Sequence, residues 1–141
     1  MSDLERPLSE RGQREAESIG EIFRQKEIQP DLILSSPSVR TKETIEIVRR
    51  VASFPVDVQY EDSIYEASVG DLHRLLQSIE PRVNASVVVG HNPGMEAIFS
   101  LLTHKPRQFG PGTLAKILFE VVSWSEVTPG SGQLEWLAEP S

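Results

Sequence analysis

The sequence predicts an α/β fold with three layers, in which helices cover both faces of a mostly parallel sheet. Short apolar runs typical of buried strands alternate along the 141 residues with stretches whose apolar positions recur at helical spacing. Turn-forming residues separate these stretches, and no repeat, linker or low-complexity tract interrupts them. We therefore predict a single domain that spans residues 1–141.

The first half of the chain is predicted to contain two helices and two strands. In order, we expect a loop over residues 1–8, a helix capped by Ser9 that ends before Gln29, a strand over 31–35, a helix to about Ala52 and a strand over 56–60. Ser36 and Pro37 match an N-cap followed by proline at the first helical position, so we expect the second helix to begin there.

The second half continues the alternation and ends in two strands. We expect a helix after Ser68, a strand over residues 85–90, a helix over 95–102, a loop over 104–113 and strands over 114–122 and 133–137. Ser68 and Asp71 have the spacing of a capping box, and Asn92 precedes a proline as a cap would. We expect the last two strands to pair as a hairpin at the edge of the sheet.

Composition limits the classes of function. Hydrophobic residues make up 38% of the chain, enough for a core, and the net charge of −7 disfavours a nucleic-acid partner. The absence of cysteine excludes disulfides and thiolate chemistry. No apolar run reaches the roughly 18 residues of a membrane span, and no secretory signal is visible. We expect a cytoplasmic protein with no membrane partner.

Two strand-to-helix junctions carry unusual chemistry. Arg40 follows the first strand and His91 follows the strand over residues 85–90. Ligands of open α/β sheets bind beyond the carboxyl ends of the strands, and helix starts favour anions. A guanidinium and an imidazole at two such starts indicate a phosphoryl site, although an arginine in a first helical turn is more often a solvated surface residue. The histidines His73, His91 and His104 are too scattered to predict a metal site, and no cofactor is expected.

Four motifs resemble those of the histidine phosphatase superfamily. Residues 36–44 resemble its S-P-x-x-R-x-x-[EQ]-T motif, and residues 88–94 resemble V-G-H-N-P-G in the form found in SixA-type phosphohistidine phosphatases. Residues 6–12 resemble R-P-L-[ST]-x-x-G, and residues 65–67 resemble part of L-Y-x-A. The motifs occur in the family's order and cover nearly the whole chain.

The resemblance implies a phosphoglycerate mutase-like fold and a phosphatase activity that proceeds through a phosphohistidine intermediate. It implies that Arg40 binds phosphoryl oxygens and that His91 is the second histidine of the pocket. Glu66 lies in the region from which a carboxylate donates the leaving-group proton in related phosphatases. It could equally be a charged surface residue. The implied partner is a phosphorylated protein or a small phosphomonoester.

One feature of the family is not found in these residues. Family members begin with a strand that ends in Arg-His, whose histidine is the nucleophile, and the present sequence contains no Arg-His pair. We expect the first strand to be missing, and three explanations are open. The start is misassigned or the sequence is truncated, the gene is a degraded copy, or the protein is a phosphate-binding relative without catalytic activity. The first explanation is favoured because the other motifs are intact. Without the strand, we expect the chain to be inactive.

Overall fold

A computed structural model describes residues 2–139 and contains the predicted alternation of helices and strands. In chain order the elements are α1 (Glu10–Gln25), β1 (Leu32–Ser35), α2 (Val39–Ala52), β2 (Val58–Tyr60), α3 (Val69–Gln77), β3 (Ser86–Val89), α4 (Gly94–Thr103), β4 (Leu114–Phe119) and β5 (Gly132–Ala138). Single turns of 3-10 helix lie at Asp3–Glu5, Asp62–Ile64 and Trp124–Glu126. The α/β class with a parallel sheet is confirmed.

Strand β1 is the centre of a three-stranded parallel sheet with the order β2-β1-β3. Ile33 pairs with Val58 on one side and with Val87 on the other, so β1 has backbone partners along both edges. Its short apolar sequence suits this position, because a strand covered by helices on both faces has no solvent side.

Successive side chains of β1 anchor the two helical layers. Ile33 packs in a core cluster with residues of α1 and α2, among them Phe23 and Ile45. Leu34, on the opposite face, packs in a second cluster with residues of α3 and α4, among them Leu72 and Ile98. This alternation of neighbouring residues between two cores produces the three layers.

The last two strands pair as predicted but do not join the parallel sheet. Strands β4 and β5 form a separate antiparallel hairpin, with an irregularity between Lys116 and Ile117. The expectation of a hairpin hydrogen-bonded at the sheet edge is wrong within residues 2–139. A cavity of about 1380 Å³ is lined both by β3 and by β4, so the facing edges of the two strands are not hydrogen-bonded to each other.

The starts of two helices also differ from the prediction. Helix α2 is capped by Ser38, whose hydroxyl accepts a hydrogen bond from the Thr41 amide, and not by Ser36. Helix α4 follows Pro93 without a side-chain cap, so Asn92 is not its cap either. In both places the predicted capping side chain binds another part of the chain. The caps predicted at Ser9 and Ser68 are confirmed.

The contact between α1 and α2 depends on the small size of Gly20. A Cβ atom at this position would lie 2.6 Å from Val51 Cβ, and a β-branched side chain on a helix has little freedom to move away. By contrast, a Cβ at Gly70 in α3 would meet the Arg74 guanidinium at 3.4 Å, the mobile end of a long side chain.

We therefore predict opposite effects for two helical glycine substitutions. Gly20→Ala should lower the free energy of unfolding by about 1–3 kcal/mol through overpacking. Gly70→Ala, the matched control, should leave it unchanged or raise it by up to about 1 kcal/mol through helix propensity. Urea unfolding followed by circular dichroism measures both. Equal effects of the two substitutions would contradict this account of the α1–α2 contact.

Candidate active site

The register of the parallel sheet brings the two predicted junctions together. Ser35, the last residue of β1, is the partner of Val89, the last residue of β3. The hydrogen bonding continues one step further, because the Ser36 amide donates to the Val89 carbonyl at 3.0 Å. The loops that lead to Arg40 and to His91 therefore leave the sheet side by side at its carboxyl edge.

His91 is half-buried and is held by contacts on two sides. A hydrogen bond joins its Nε2 atom to Ser36 Oγ at 2.8 Å. The Tyr65 ring meets the imidazole edge to face, with the centroids 5.5 Å apart and an angle of 89° between the planes. These contacts restrict the orientation of the imidazole ring.

Arg40 lies in the first turn of α2 and lines the same cavity as His91. The turn that carries it rests on buried hydroxyl groups. Thr41 Oγ1 donates to the Ser36 carbonyl at 2.8 Å and lies 2.7 Å from Ser38 Oγ. Thr44 Oγ1 bonds the Arg40 carbonyl at 2.8 Å. Since buried polar groups are costly to leave unpaired, this network holds the start of α2 in one conformation.

Glu66 lines this cavity as well and has an unusual backbone. It is exposed and has a φ of 53°, in the left-handed region that few residues other than glycine adopt. The next residue approaches α4 closely, because a Cβ atom at Gly94 would lie 3.1 Å from the Ala67 carbonyl oxygen. Glycine at the start of α4 thus allows the segment with Tyr65 and Glu66 to lie beside His91.

The loop before β4 is fastened to the start of α4. Asn92 Nδ2 donates to the Phe109 carbonyl at 2.7 Å, and the Phe109 amide donates to Glu96 Oε1 at 2.7 Å. The Phe109 ring also packs on Phe99, with the centroids 5.1 Å apart. Asn92 therefore binds this loop instead of capping the helix, and the loop forms part of the cavity wall.

A further motif residue has a structural role. Glu43, within the S-P-x-x-R-x-x-[EQ]-T motif, accepts a hydrogen bond from the Leu8 amide at 2.9 Å. It thereby fixes the segment that leads from the R-P-L residues into α1.

The three residues proposed from the sequence thus line one cavity. Arg40 supplies a guanidinium, His91 an imidazole and Glu66 a carboxylate. Arg40 and His91 lie at helix starts, where backbone amides and the helix dipole favour negative charge. The combination is suited to an oxyanion such as a phosphoryl group.

Sequence reasoning missed Ser36 and Tyr65 as partners of His91. The Ser-Pro pair favoured a capping role for Ser36, and its hydrogen bond to a residue 55 positions away leaves no local signal. Tyr65 belonged to a recognised motif, but its ring contact depends on how that segment packs on the sheet.

Among residues 2–139, no group of three or more His, Cys, Asp or Glu side chains is arranged to hold a metal ion. Within the same part of the chain, no helix is long and apolar enough to cross a bilayer.

These features define a class: a parallel α/β protein with a cavity at the carboxyl edge of its sheet, lined by an arginine and a histidine near two helix starts. Residues 2–92 match the sequence profile of the histidine phosphatase superfamily, branch 1. The match covers more than half of the chain, and the chain therefore belongs to this superfamily. The recognition made from the four motifs is confirmed.

The chain is also similar to a plant protein and to a solved bacterial structure. An uncharacterized chloroplastic protein of Arabidopsis thaliana is 29% identical over 153 residues, which cover 99% of this chain and 70% of the relative. A protein assigned as phosphohistidine phosphatase SixA from Agrobacterium tumefaciens is 27% identical, with a TM-score of 0.85 over 99% of this chain and 87% of the other.

A third comparison shows the shared fold alone. The protein histidine phosphatase SixA, solved in complex with tungstate, superposes with a TM-score of 0.85 at 22% identity, over 99% of this chain and 87% of the other. The phosphoglycerate mutase-like architecture expected from the motifs is therefore confirmed.

The capping box at the start of α3 contains a carboxyl whose pKa is lowered by its surroundings. The Ser68 amide and hydroxyl, together with Arg74, hold the pKa of Asp71 below its ordinary value of 3.8. A carboxyl whose pKa is lowered by folding stabilises the fold above its unfolded pKa, and this contribution is lost as the pH falls through the folded pKa.

We predict that Asp71→Asn lowers the melting temperature at pH 7, and that the difference from the parent chain shrinks as the pH is lowered to about 3. Differential scanning calorimetry across this range measures it. Glu17→Gln, at an exposed position in α1, changes the net charge equally and serves as the control. A difference for Asp71→Asn that does not change with pH would contradict the role given to the charge.

Proposed function

We propose that this cavity binds the phosphoryl group of phosphohistidine on a protein, or of another phosphomonoester, and that it belongs to a phosphatase reaction with a phosphohistidine intermediate. The observation that carries the proposal is the convergence of Arg40 and His91 in one cavity at two helix starts. Membership of the histidine phosphatase superfamily supports a phosphatase activity in general. The solved structures assigned as SixA support the phosphohistidine substrate.

Each residue would have a distinct part in the reaction. Arg40 would bind two phosphoryl oxygens through its planar guanidinium. His91 would donate a hydrogen bond to a third oxygen as charge develops on it in the transition state. Glu66 would give a proton to the leaving atom as its bond to phosphorus breaks, and it would then activate the water that hydrolyses the intermediate.

The nucleophile would come from an extended segment in the gap between β3 and β4. Both strands have an unpaired edge in the described part of the chain, and both line the cavity of about 1380 Å³. A strand there would complete a continuous sheet and would carry a histidine to the edge where His91 lies. Attack by that histidine would form a nitrogen–phosphorus bond, and water would later break it.

The alternative function is a phosphate- or phosphoprotein-binding module without turnover. The absence of an Arg-His pair from the sequence favours it. The two functions share the binding step and differ in the covalent step, so one experiment is needed for each.

The binding step is tested with Arg40→Ala. We predict that the 141-residue chain binds tungstate or phosphate, and that Arg40→Ala weakens binding by roughly 10- to 150-fold, because a charge-assisted hydrogen-bonding group contributes about 1.5–3 kcal/mol. Isothermal titration calorimetry measures the affinity. Arg50→Ala, an exposed position on the same helix, removes the same charge and should change the affinity little. Equal losses for the two variants would refute a site at Arg40.

The covalent step is tested by phosphoenzyme trapping. We predict that the 141-residue chain, incubated with radiolabelled acetyl phosphate, acquires no acid-labile, alkali-stable phosphate, because no described histidine occupies the gap. A labelled chain would overturn this prediction, and loss of the label on substitution of His73, His91 or His104 would identify the acceptor. A cytoplasmic location and the choice between protein and small-molecule substrates stay predictions.

A further inference from the structure

Ser36 is a fully buried polar residue in contact with the candidate site. It lies between β1 and α2, its relative exposure is 0%, and its hydroxyl is 2.8 Å from His91 Nε2. We propose that Ser36 is a positioning residue that fixes the tautomer of His91, with the proton on Nδ1. The consequence for phosphoryl binding rests on the function proposed above, whereas the tautomer itself does not.

The hydrogen bonds around Ser36 decide which atom donates. The Ser38 amide donates weakly to Ser36 Oγ, at 3.4 Å, and an amide cannot accept a proton in return. Among the described residues, His91 Nε2 is therefore the acceptor available to the Ser36 hydroxyl proton. A buried hydroxyl that leaves its proton without an acceptor is destabilising. This penalty favours the arrangement in which Ser36 donates and Nε2 accepts.

The direction of this bond determines the chemistry of the ring. A neutral imidazole carries one proton, so accepting at Nε2 puts the proton on Nδ1. On the proposed function, the N–H that His91 donates to a phosphoryl oxygen would therefore be the Nδ1–H of the neutral ring.

Ser35 offers a matched control. It is also 0% exposed and precedes Ser36 directly, but its hydroxyl donates to the Ser36 carbonyl at 2.9 Å and not to the imidazole. Removing either hydroxyl takes one oxygen from the same buried region. Only Ser36→Ala removes the bond to Nε2.

The test is long-range ¹H–¹⁵N NMR of the 141-residue chain, which identifies the protonated nitrogen of each neutral histidine. We expect His91 to be the Nδ1–H tautomer in the parent chain and in Ser35→Ala. In Ser36→Ala it should shift towards the Nε2–H form that an unconstrained histidine prefers. An Nε2–H tautomer in the parent chain would overturn the proposal, even if Ser36→Ala does not fold. An unchanged tautomer in a folded Ser36→Ala chain would overturn it as well.

Tungstate titration then separates this proposal from the proposed function. We expect Ser36→Ala to weaken binding about threefold to tenfold, the scale of one hydrogen bond, and Ser35→Ala to leave it unchanged. An Nδ1–H tautomer in a chain that binds no tungstate would preserve the role of Ser36 and refute the phosphoryl site. Tight tungstate binding by a chain with the Nε2–H tautomer would preserve the phosphoryl site and refute the role of Ser36.

Discussion

The parallel pairing of β1 with β3 is the interaction on which the rest of the structure depends. It aligns Ser35 with Val89, so the chain leaves both strands at the same height and turns into two helices side by side. The same strand separates the two cores, because Ile33 and Leu34 point to opposite faces. Each of these side chains contributes about 1.5–3 kcal/mol by leaving water. Stability and the position of the site therefore have a common origin.

Around this edge of the sheet, the chain uses short polar side chains to hold the site. Ser36, Ser38 and Thr41 satisfy one another and the backbone at the start of α2. Asn92 and Glu96 bind the backbone carbonyl and the backbone amide of Phe109, respectively, across the start of α4. These bonds restrict the surroundings of Arg40 and His91 before any ligand arrives, which reduces the ordering that binding would otherwise require.

The gap between β3 and β4 links the fold to the proposed activity. Strand β3 has an apolar sequence suited to a fully covered position, yet its residues are only half-buried along that edge. Superposition on SixA structures covers 99% of the chain with a TM-score of 0.85, so the elements on both sides of the gap share the overall fold of those structures. On the proposed function, binding and covalent chemistry are physically separable: the described residues provide the binding groups, and the segment that fills the gap provides the nucleophile.

The order of the elements follows from the amino-acid sequence alone, because apolar periodicity and capping residues act locally. The stripe of α3, its Ser68–Asp71 box and the valine run of β3 are examples. The sequence also identified Arg40 and His91, since strand ends and helix starts are local features. Three features depend on contacts between distant parts of the chain: which of two nearby serines caps α2, what Asn92 binds, and whether the hairpin joins the sheet. Local sequence leaves Ser36 and Ser38 nearly equivalent as caps. The choice follows from the imidazole of His91, which strand register brings to Ser36 from 55 residues away.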